Sequence, residues 1–408
     1  MLAMRPSFLV ALTTLALSSC GGPGERDGFL TRDSAGIIIA ENGLAGELPQ
    51  CAMTAEPVVQ IGTDEGEEAY ELFRVFGATR LEDGRIVLVN DGTKELRFYD
   101  AEGQFLQRAG RGGEGPGEFR NAFYLWRLRG DTLWVGNYGP WRYHLFSPEG
   151  VYQRSVTPVP HYINSPELMG MLADGRAVLA SRDGAFEIDT EYRVRYRTVV
   201  IHAPDGTVQD TLGVFPHGRW GRPSADGAMM MLYPLFESFT RTAVMGTHIV
   251  VAHTSTPELT VYDAGDGTPR VTRIIRWTTP DRRVGSADAA AERARLAAEY
   301  PDLNEQMRRM MVDPLISPDR PVAEVFPAFS SLLLGRDGRL WLQDYLRSRQ
   351  PNTPNRWTVL GPDGRFTCRV TIPSGSTLLE ADADYVLAHE RDELGVERVV
   401  MYRLGGGE

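Results

Sequence analysis

Short apolar runs alternate with tight polar turns along most of the chain, and the same order of runs and turns recurs six times. Each unit begins with an apolar run, an Asp/Gly turn, a second run, a polar corner and a third run. A second glycine turn and a fourth run follow in all units except the last. Short apolar runs bounded by Gly and Asp are typical of strands rather than helices. The predicted second strands are residues 85–90, 132–137, 176–181, 248–253, 339–344 and 385–390.

The spacing of these units predicts how they assemble. Three of the five spacings between second strands are 44, 46 and 47 residues, within the range of about 40–50 residues for one propeller blade. The other two spacings are longer because they contain insertions. Since four-stranded hairpin units of this kind stack radially, the sequence predicts an all-β fold. We expect a six-bladed β-propeller of four-stranded blades over residues 57–404.

The last unit predicts how the ring closes. Its third strand is Val399 to Leu404, and the chain stops at Glu408 before a fourth. A spare strand at residues 57–62 resembles the fourth strands of other units and is followed, like them, by a loop rich in glycine and acids. We expect it to complete the last blade, because an open edge strand promotes aggregation.

Both long spacings contain an extra segment between blades. Residues 213–234 lie in the first, and the second, residues 277–325, contains stretches rich in Ala, Leu, Glu and Arg at 287–299 and 302–312. Such composition favours helix, so we expect a helical insertion between blades 4 and 5. It would act either as a lid over the central channel or as a helical hairpin packed on the rim.

The glycine-rich link after the first unit carries a resemblance to a known family. Residues 108–119 read RAGRGGEGPGEF, followed by an aromatic strand and another Gly/Asp turn. This segment, within the repeat over roughly residues 57–404, resembles the NHL-like six-bladed propellers of bacterial lipoproteins. The resemblance implies the architecture, but the family has no shared reaction, so it implies no chemistry.

The N-terminus predicts export and a membrane anchor. Residues 1–19 have a short basic start and an apolar run, and Leu17-Ser18-Ser19-Cys20 resembles the lipobox of bacterial lipoproteins. The apolar run is too short to span a bilayer as a helix. The resemblance implies cleavage before Cys20, lipid attachment there, and a tether and N-terminal segment at residues 20–56. Gly21 after the cysteine favours the outer membrane in a diderm cell.

Composition excludes one class of partner. The formal net charge is −11 and the pI is about 5.3, whereas nucleic-acid binding is driven by clustered Lys and Arg. The predicted partners are therefore the lipid bilayer, through acylated Cys20, and an unknown small-molecule, peptide or protein ligand.

Polar side chains at the ends of the second strands, with those of the first insertion, are the candidate ligand-binding residues. In a propeller these ends ring one mouth of the channel. The candidates are Asn90, Asp91, Asn137, Tyr138, Asp183, His217, Arg219, Trp220, His253, Asp344, Tyr345 and His389. A structural alternative is that Asn and Asp at strand ends cap turns.

Two functions from different classes remain open. The first is non-catalytic binding of a peptide, glycan or protein partner on the loop-rich face, with no cofactor. The second is a lactonase-like hydrolase that holds Ca²⁺ in the channel through Asn90, Asn137, Asp183 and Asp344, because a hard cation prefers several oxygen ligands. The sequence contains no Gly-x-Ser-x-Gly motif and no close histidine pair, so binding is favoured. Whether the chain is an enzyme is left open, and no catalytic residue is assigned.

The remaining cysteines predict a disulfide. Once Cys20 is lipidated, Cys51 and Cys368 are the two thiols left in an oxidising compartment. Cys51 precedes the closing strand and Cys368 lies in the outer strand of the fifth unit, so a bridge would clamp the closing segment to the ring. The alternative is two unrelated thiols, with Cys368 a small core residue.

Overall fold

The computed structural model describes residues 28–46, 48–137, 141–159, 167–181, 191–221, 224–225, 228–347 and 353–405. Their strands form six propeller blades, each with four strands side by side, which confirms the predicted six-bladed β-propeller. In blades 1–5 the strands follow one another in chain order, whereas blade 6 takes its fourth strand from the N-terminal part of the chain. Blade 1 comprises Val75–Arg80, Ile86–Asn90, Glu95–Tyr99 and Phe105–Ala109; blade 2 Ala122–Arg127, Leu133–Asn137, Arg142–Phe146 and Tyr152–Val156; blade 3 Glu167–Met171, Ala177–Ala180, Arg193–His202 and Val208–Trp220. Blade 4 comprises Thr240–Met245, His248–His253, Glu258–Asp263 and Arg270–Thr278; blade 5 Ser331–Leu334, Leu340–Gln343, Asn355–Leu360 and Phe366–Ile372; blade 6 Thr377–Ala381, Tyr385–Arg391, Glu397–Arg403 and Val59–Ile61.

Apolar packing between blades holds the ring together. The buried residues form six clusters, and each lies between two successive blades. Large side chains fill them: Trp134 and Trp341 are at most 2% exposed. Because the second strand of blade 1 is buried on both faces, four successive residues of it, Ile86 to Val89, are apolar.

A repeated Asp-Gly-Arg turn adds polar links between blades. In the first turn of blade 1, Asp83 accepts hydrogen bonds from the backbone and side chain of Arg85, and Gly84 has a φ of 94° that an L side chain rarely adopts. Arg85 then donates to the Pro148 carbonyl of blade 2 at 2.8 Å. The same contacts recur at Arg176, which reaches the Gly267 carbonyl of blade 4, and at Arg339, which reaches the Asp382 carbonyl of blade 6.

The N-terminal segment wraps the outside of three blades, and we call residues 30–61 the N-terminal belt. Leu30–Ser34 and Ile37–Leu44 form a hairpin whose second strand pairs in parallel with the fourth strand of blade 4. The chain then bridges to Arg369 of blade 5 and Leu404 of blade 6. Val59–Ile61 finally pairs antiparallel with the third strand of blade 6 and so completes its sheet.

Cys51 and Cys368 lie where the belt crosses blade 5. Their Cα atoms are 5.3 Å apart and a disulfide joins them. The backbone N–H of Cys51 also donates to the Arg369 carbonyl at 2.8 Å. The belt is therefore attached to the ring covalently as well as by hydrogen bonds.

Three α-helices occur among the described residues, all between blades 4 and 5: α1 (Ser286–Ala298), α2 (Glu305–Met311) and α3 (Asp313–Ile316). Asn304 caps α2 by accepting from the backbone N–H of Met307. The segment docks on the link between blades 3 and 4, where Arg320 donates to the Tyr233 carbonyl at 2.7 Å. None of the helices in the described part of the chain is long and apolar enough to cross a membrane.

The expected insertion at residues 213–234 is only partly a loop. Residues 213–220 continue the fourth strand of blade 3 and pair with Arg193–His202. The minor strands are Arg111–Gly112 with Glu118–Phe119, and Ser224–Ala225 with Ala228–Met229. In the blade 1–2 link, Glu118 accepts from the side chain of Arg111 and the backbone of Gly115, so the glycine-rich link folds around an internal ion pair.

Candidate functional site

The C-terminal ends of the second and fourth strands of every blade lie on one face of the ring, which we call the loop face. Neighbouring strands in each blade are antiparallel, so these two strands run in the same direction. The links between blades leave from this face, including the helical segment between blades 4 and 5. The described candidate residues of the second strands therefore belong to one face, as expected of a propeller.

In blade 1, Asn90 and Asp91 hold backbone in place. Asn90 is fully buried, and its side-chain oxygen accepts from the backbone N–H of Phe73 at 2.8 Å. Asp91 is also fully buried and accepts from the N–H of Ala122 in blade 2 at 2.7 Å. Arg74 and Lys94 neutralise its charge, at 3.1 and 2.8 Å. Both residues thus support the links between blades.

Asn137 plays the same part in blade 2. It is fully buried, and its side-chain oxygen accepts from the N–H groups of Arg120 and Asn121, at 3.0 and 3.2 Å. The neighbouring candidate Tyr138 lies outside the described residues, as does Asp183 of blade 3. The contacts of Asn90 and Asn137 are those of strand-end caps.

Two candidates from blades 3 and 4, Arg219 and His253, interact with Glu237, a residue that the sequence analysis missed. The backbone N–H of Arg219 donates to Glu237 at 2.8 Å, and its guanidinium does so at 2.9 Å. His217 packs on the ring of Phe239, with centroids 5.6 Å apart. Burial lowers the pKa of His253, against the opposing charge of Glu237. Trp220 lies at the end of the same long strand and is buried beneath the guanidinium of Arg195.

His389 belongs to the junction of blades 6 and 1. Its Nε2 atom lies 3.2 Å from a carboxylate oxygen of Glu397. The same oxygen accepts from the backbone N–H of Val75 in blade 1, and Arg391 binds the other oxygen. Glu397 is buried, so this group is a structural contact between blades.

Blade 5 supplies Asp344 and Tyr345. Asp344 accepts from the Thr358 hydroxyl at 3.1 Å and lies 3.4 Å from the Arg356 guanidinium. The ring of Tyr345 lies 6.0 Å from that of Phe326, which precedes the first strand of blade 5. Unlike the asparagines of blades 1 and 2, both side chains line a cavity.

The candidate residues that the structure describes, which exclude Tyr138 and Asp183, do not converge on one point. Each binds within its own blade or to the next, and the described part of the chain has no group of three or more His, Cys, Asp or Glu side chains placed to hold a metal ion. The oxygens of Asn90 and Asn137 are already engaged by backbone N–H groups, which does not suit calcium ligands. The calcium set therefore stays a prediction that depends on Asp183.

Two serine–histidine contacts occur among the described residues. His144 Nδ1 lies 2.9 Å from Ser155 Oγ, and His253 Nδ1 lies 2.6 Å from Ser255 Oγ. Burial lowers the pKa of His144 to about 4, so this imidazole is a poor base near neutral pH. Neither pair lines the cavities described next.

Two cavities lie on the loop face beside blades 4 and 5, and the second of them is bordered by the helical segment. The first, which we call the blade 4–5 cavity, has a volume of about 240 Å³. The second, about 370 Å³, is lined by Leu296 of α1 and Leu315 of α3, and it shares Tyr345 and Arg347 with the first. Sequence reasoning did not identify Arg347, because nothing local distinguishes it from a solvated arginine.

A buried ionic network lies on the opposite face, near the axis. Glu380 of blade 6 accepts from Arg336 of blade 5 at 2.8 Å, from the Thr79 hydroxyl of blade 1 at 2.6 Å, and from Tyr385 at 2.5 Å. Burial alone would raise the pKa of Glu380, but the Arg336 charge and these hydrogen bonds hold it below the usual value. The network joins three blades where the ring closes.

Comparison with known proteins identifies the fold alone. No protein-family model matches the sequence, and no curated protein matches it. A member of the DUF4221 family from Bacteroides vulgatus has a similar structure, with a TM-score of 0.52 and 11% identity, over 88% of this chain and all of that one. A Bacteroides fragilis protein provisionally named as exported has a TM-score of 0.49 and 10% identity, over 90% of this chain and 99% of that one. A gluconolactonase of Xanthomonas campestris has a TM-score of 0.42 and 12% identity, over 87% of this chain and all of that one.

Proposed function

We propose that this chain is an exported, lipid-anchored β-propeller that binds a peptide, glycan or protein partner on its loop face. The observation that carries the proposal is the pair of cavities beside blades 4 and 5, the second of which lies beneath the helical segment. Elsewhere on this face the described strand-end residues are engaged in caps and ion pairs. At the junction of blades 4 and 5, by contrast, charged and aromatic side chains border open space.

The helical segment gives this site its outer wall. Leu296 and Leu315 contribute apolar surface, and Glu292, Arg295 and Arg320 contribute charge. Arg295 is paired with Glu292 at 2.9 Å, which steadies α1. A mixed apolar and charged wall suits recognition of a polar ligand better than simple covering of the rim, and we propose that the segment acts as a lid.

Affinity capture from envelope extracts with the full lipidated chain tests the binding proposal. Leu296→Glu places a charge in the second cavity and should abolish capture of a specific partner. Ala290→Glu is the matched control, since Ala290 is an exposed residue of the same helix. Equal capture by the two variants would contradict a binding site beneath the helices.

The anchor has a separate test. Cys20→Ala should block lipid attachment and leave the protein in the aqueous phase of a detergent partition, whereas the unaltered chain should enter the detergent phase. A Ser19→Ala variant keeps a small residue before the cysteine and should behave like the unaltered chain. Unchanged membrane association and processing of Cys20→Ala would contradict the lipoprotein proposal.

A further inference from the structure

The blade 4–5 cavity concentrates positive charge in an acidic chain. Among the described residues that line it are Arg282, Arg347, Arg356 and Arg369, with Asp344 as the one acidic residue. The chain as a whole carries a formal net charge of −11. Four guanidinium groups around one small volume therefore form a local positive charge in a negatively charged protein. A bound anion would neutralise this charge.

These arginines have hydrogen-bonding capacity to spare. A guanidinium has five N–H donors in a planar fork. Among the described residues, Arg347 donates to the Asp281 carbonyl and Arg369 to the Ala45 carbonyl, and Arg356 lies beside Asp344. The Nε atom of Arg369 is buried and has no hydrogen-bond partner in the described part of the chain.

Arg282 forms a fixed part of the wall. It donates to the carbonyls of Phe326 and Ser255 and to the Thr279 hydroxyl, so its position is set by backbone on both sides. Burial, and then the like charge of Arg347, lower the pKa of Arg282. Nearby Asp281 is paired mainly with Arg283, at 2.8 Å, and also attracts Arg347 through its charge. The two cavity arginines thus repel each other, and an anion between them would remove that repulsion.

The size and the other walls limit what fits. A volume of about 240 Å³ is below the roughly 300–1,000 Å³ of most ligand pockets. Trp277, Phe329 and Tyr345 add aromatic surface, which suits the apolar face of a sugar or of another ring. The cavity therefore has room for a monosaccharide-sized molecule or for one end group of a longer chain.

We propose that the blade 4–5 cavity binds one oxyanion, a carboxylate or a phosphate, carried by a small ligand or by the terminal group of a larger one. The planar fork of arginine matches both oxyanions and can bind either in bidentate fashion. The proposal rests on the proposed function, because it takes the loop face as the binding face, and it names the chemical class that this face recognises.

Isothermal titration of the full chain with four probes tests it: D-glucuronate, glucose 6-phosphate, inorganic phosphate and neutral D-glucose. The charged sugars should bind and glucose should not. Tighter binding of glucuronate assigns a carboxylate, and tighter binding of glucose 6-phosphate or of phosphate assigns a phosphate. Equal binding of all three sugars, or heat from none of the probes, would overturn the proposal.

Variants locate the site. Arg356→Gln and Arg347→Gln each remove one charge from the cavity and should weaken binding of the preferred probe by on the order of tenfold to a hundredfold. Arg111→Gln, an exposed arginine between blades 1 and 2, is the control and should bind normally. Arg356 is itself exposed, so its loss should leave the fold intact, which a circular dichroism melt checks. Equal affinities of the Arg356 and Arg111 variants would refute the assignment.

Failure of this proposal is distinguishable from failure of the proposed function. If Leu296→Glu abolishes partner capture while the oxyanion probes do not bind, the loop face binds a partner but the cavity does not recognise an anion. If the probes bind and Arg356→Gln lowers their affinity while no partner is captured, the cavity is an anion site. The proposal of a macromolecular partner is then wrong.

Discussion

The junction of blades 6 and 1 and the junction of blades 4 and 5 use arginine in opposite ways. At the first, the half-buried Arg336 pairs with the buried Glu380, and hydroxyl groups of Thr79 and Tyr385 satisfy the same carboxylate. At the second, Arg347 and Arg356 are exposed beside a cavity and have few partners among the described residues. A fully satisfied charge cluster holds a fold together, whereas an unsatisfied one in an open cavity is available to a ligand.

Glu380→Gln tests the structural role of the first junction and should have the largest effect on stability. The change leaves the Arg336 charge, whose side chain is only 13% exposed, without its counter-charge. Breaking a buried pair in this way typically costs about 3–5 kcal/mol of unfolding free energy. Urea denaturation measures it. Glu102→Gln in an exposed turn is the control and should alter stability by less than about 0.5 kcal/mol. A loss for Glu380→Gln as small as that of the control would mean that the network does not close the ring.

Removing the disulfide should have the next largest effect. Cys51→Ala with Cys368→Ala frees the belt from blade 5, and loss of a bridge across so long a loop costs about 2–4 kcal/mol. Melting of the double variant with and without reductant measures this loss. The unaltered chain should fall to the level of the variant when reduced, and the variant itself should not respond. A reductant effect on the variant would show that another group is being reduced.

Acid should weaken the ring through the same network. A carboxyl whose folded-state pKa is lowered contributes stability above its unfolded pKa, about 4.3 for glutamate, and loses it as pH falls through the folded value. The melting temperature should therefore drop more steeply below about pH 4 in the unaltered chain than in Glu380→Gln. If the melting temperatures of the two proteins changed by the same amount between pH 7 and pH 3, the Glu380 carboxylate would not be stabilising.

The smallest expected effect on stability is at the other junction. Arg356→Gln removes an exposed guanidinium whose one described ion pair, with Asp344, is 3.4 Å long. Exposed pairs of this kind contribute about 0–1 kcal/mol, so the urea midpoint should hardly move. A destabilisation comparable to that of Glu380→Gln would place Arg356 among the residues that hold the fold.

The blades could be predicted because their signals are local. Turns such as Asp83-Gly84 bound each apolar run, and the missing fourth strand of the last unit pointed to the segment that contains Val59–Ile61. The hairpin at residues 30–44 was not predicted as strand, since its pairing partner, Arg270–Thr278, lies more than 200 residues away. Residues 213–220 were assigned to a loop, because the strand that extends them lies across the blade.

The candidate site was harder to predict for a physical reason. A polar residue at a strand end has the same sequence pattern whether its oxygen faces a ligand or a backbone N–H. Only the residues that surround it in the folded protein determine which of the two it binds. Asn90 and Asn137 turned out to bind backbone, whereas Asp344 and Tyr345 line a cavity. The cavity arginines come from four separate chain segments, so no motif in the sequence joins them.

If Cys20 carries a lipid, the direction of the belt determines which face of the ring lies nearer to the anchor. Strand Ile37–Leu44 runs parallel to Arg270–Thr278 and so ends at the loop face, and its partner strand begins there, with Gly28 against Gly43. The eight residues from Cys20 to Gly28 reach at most about 29 Å when fully extended. A lipid on Cys20 would therefore hold the helical segment and the blade 4–5 cavity close to the bilayer surface.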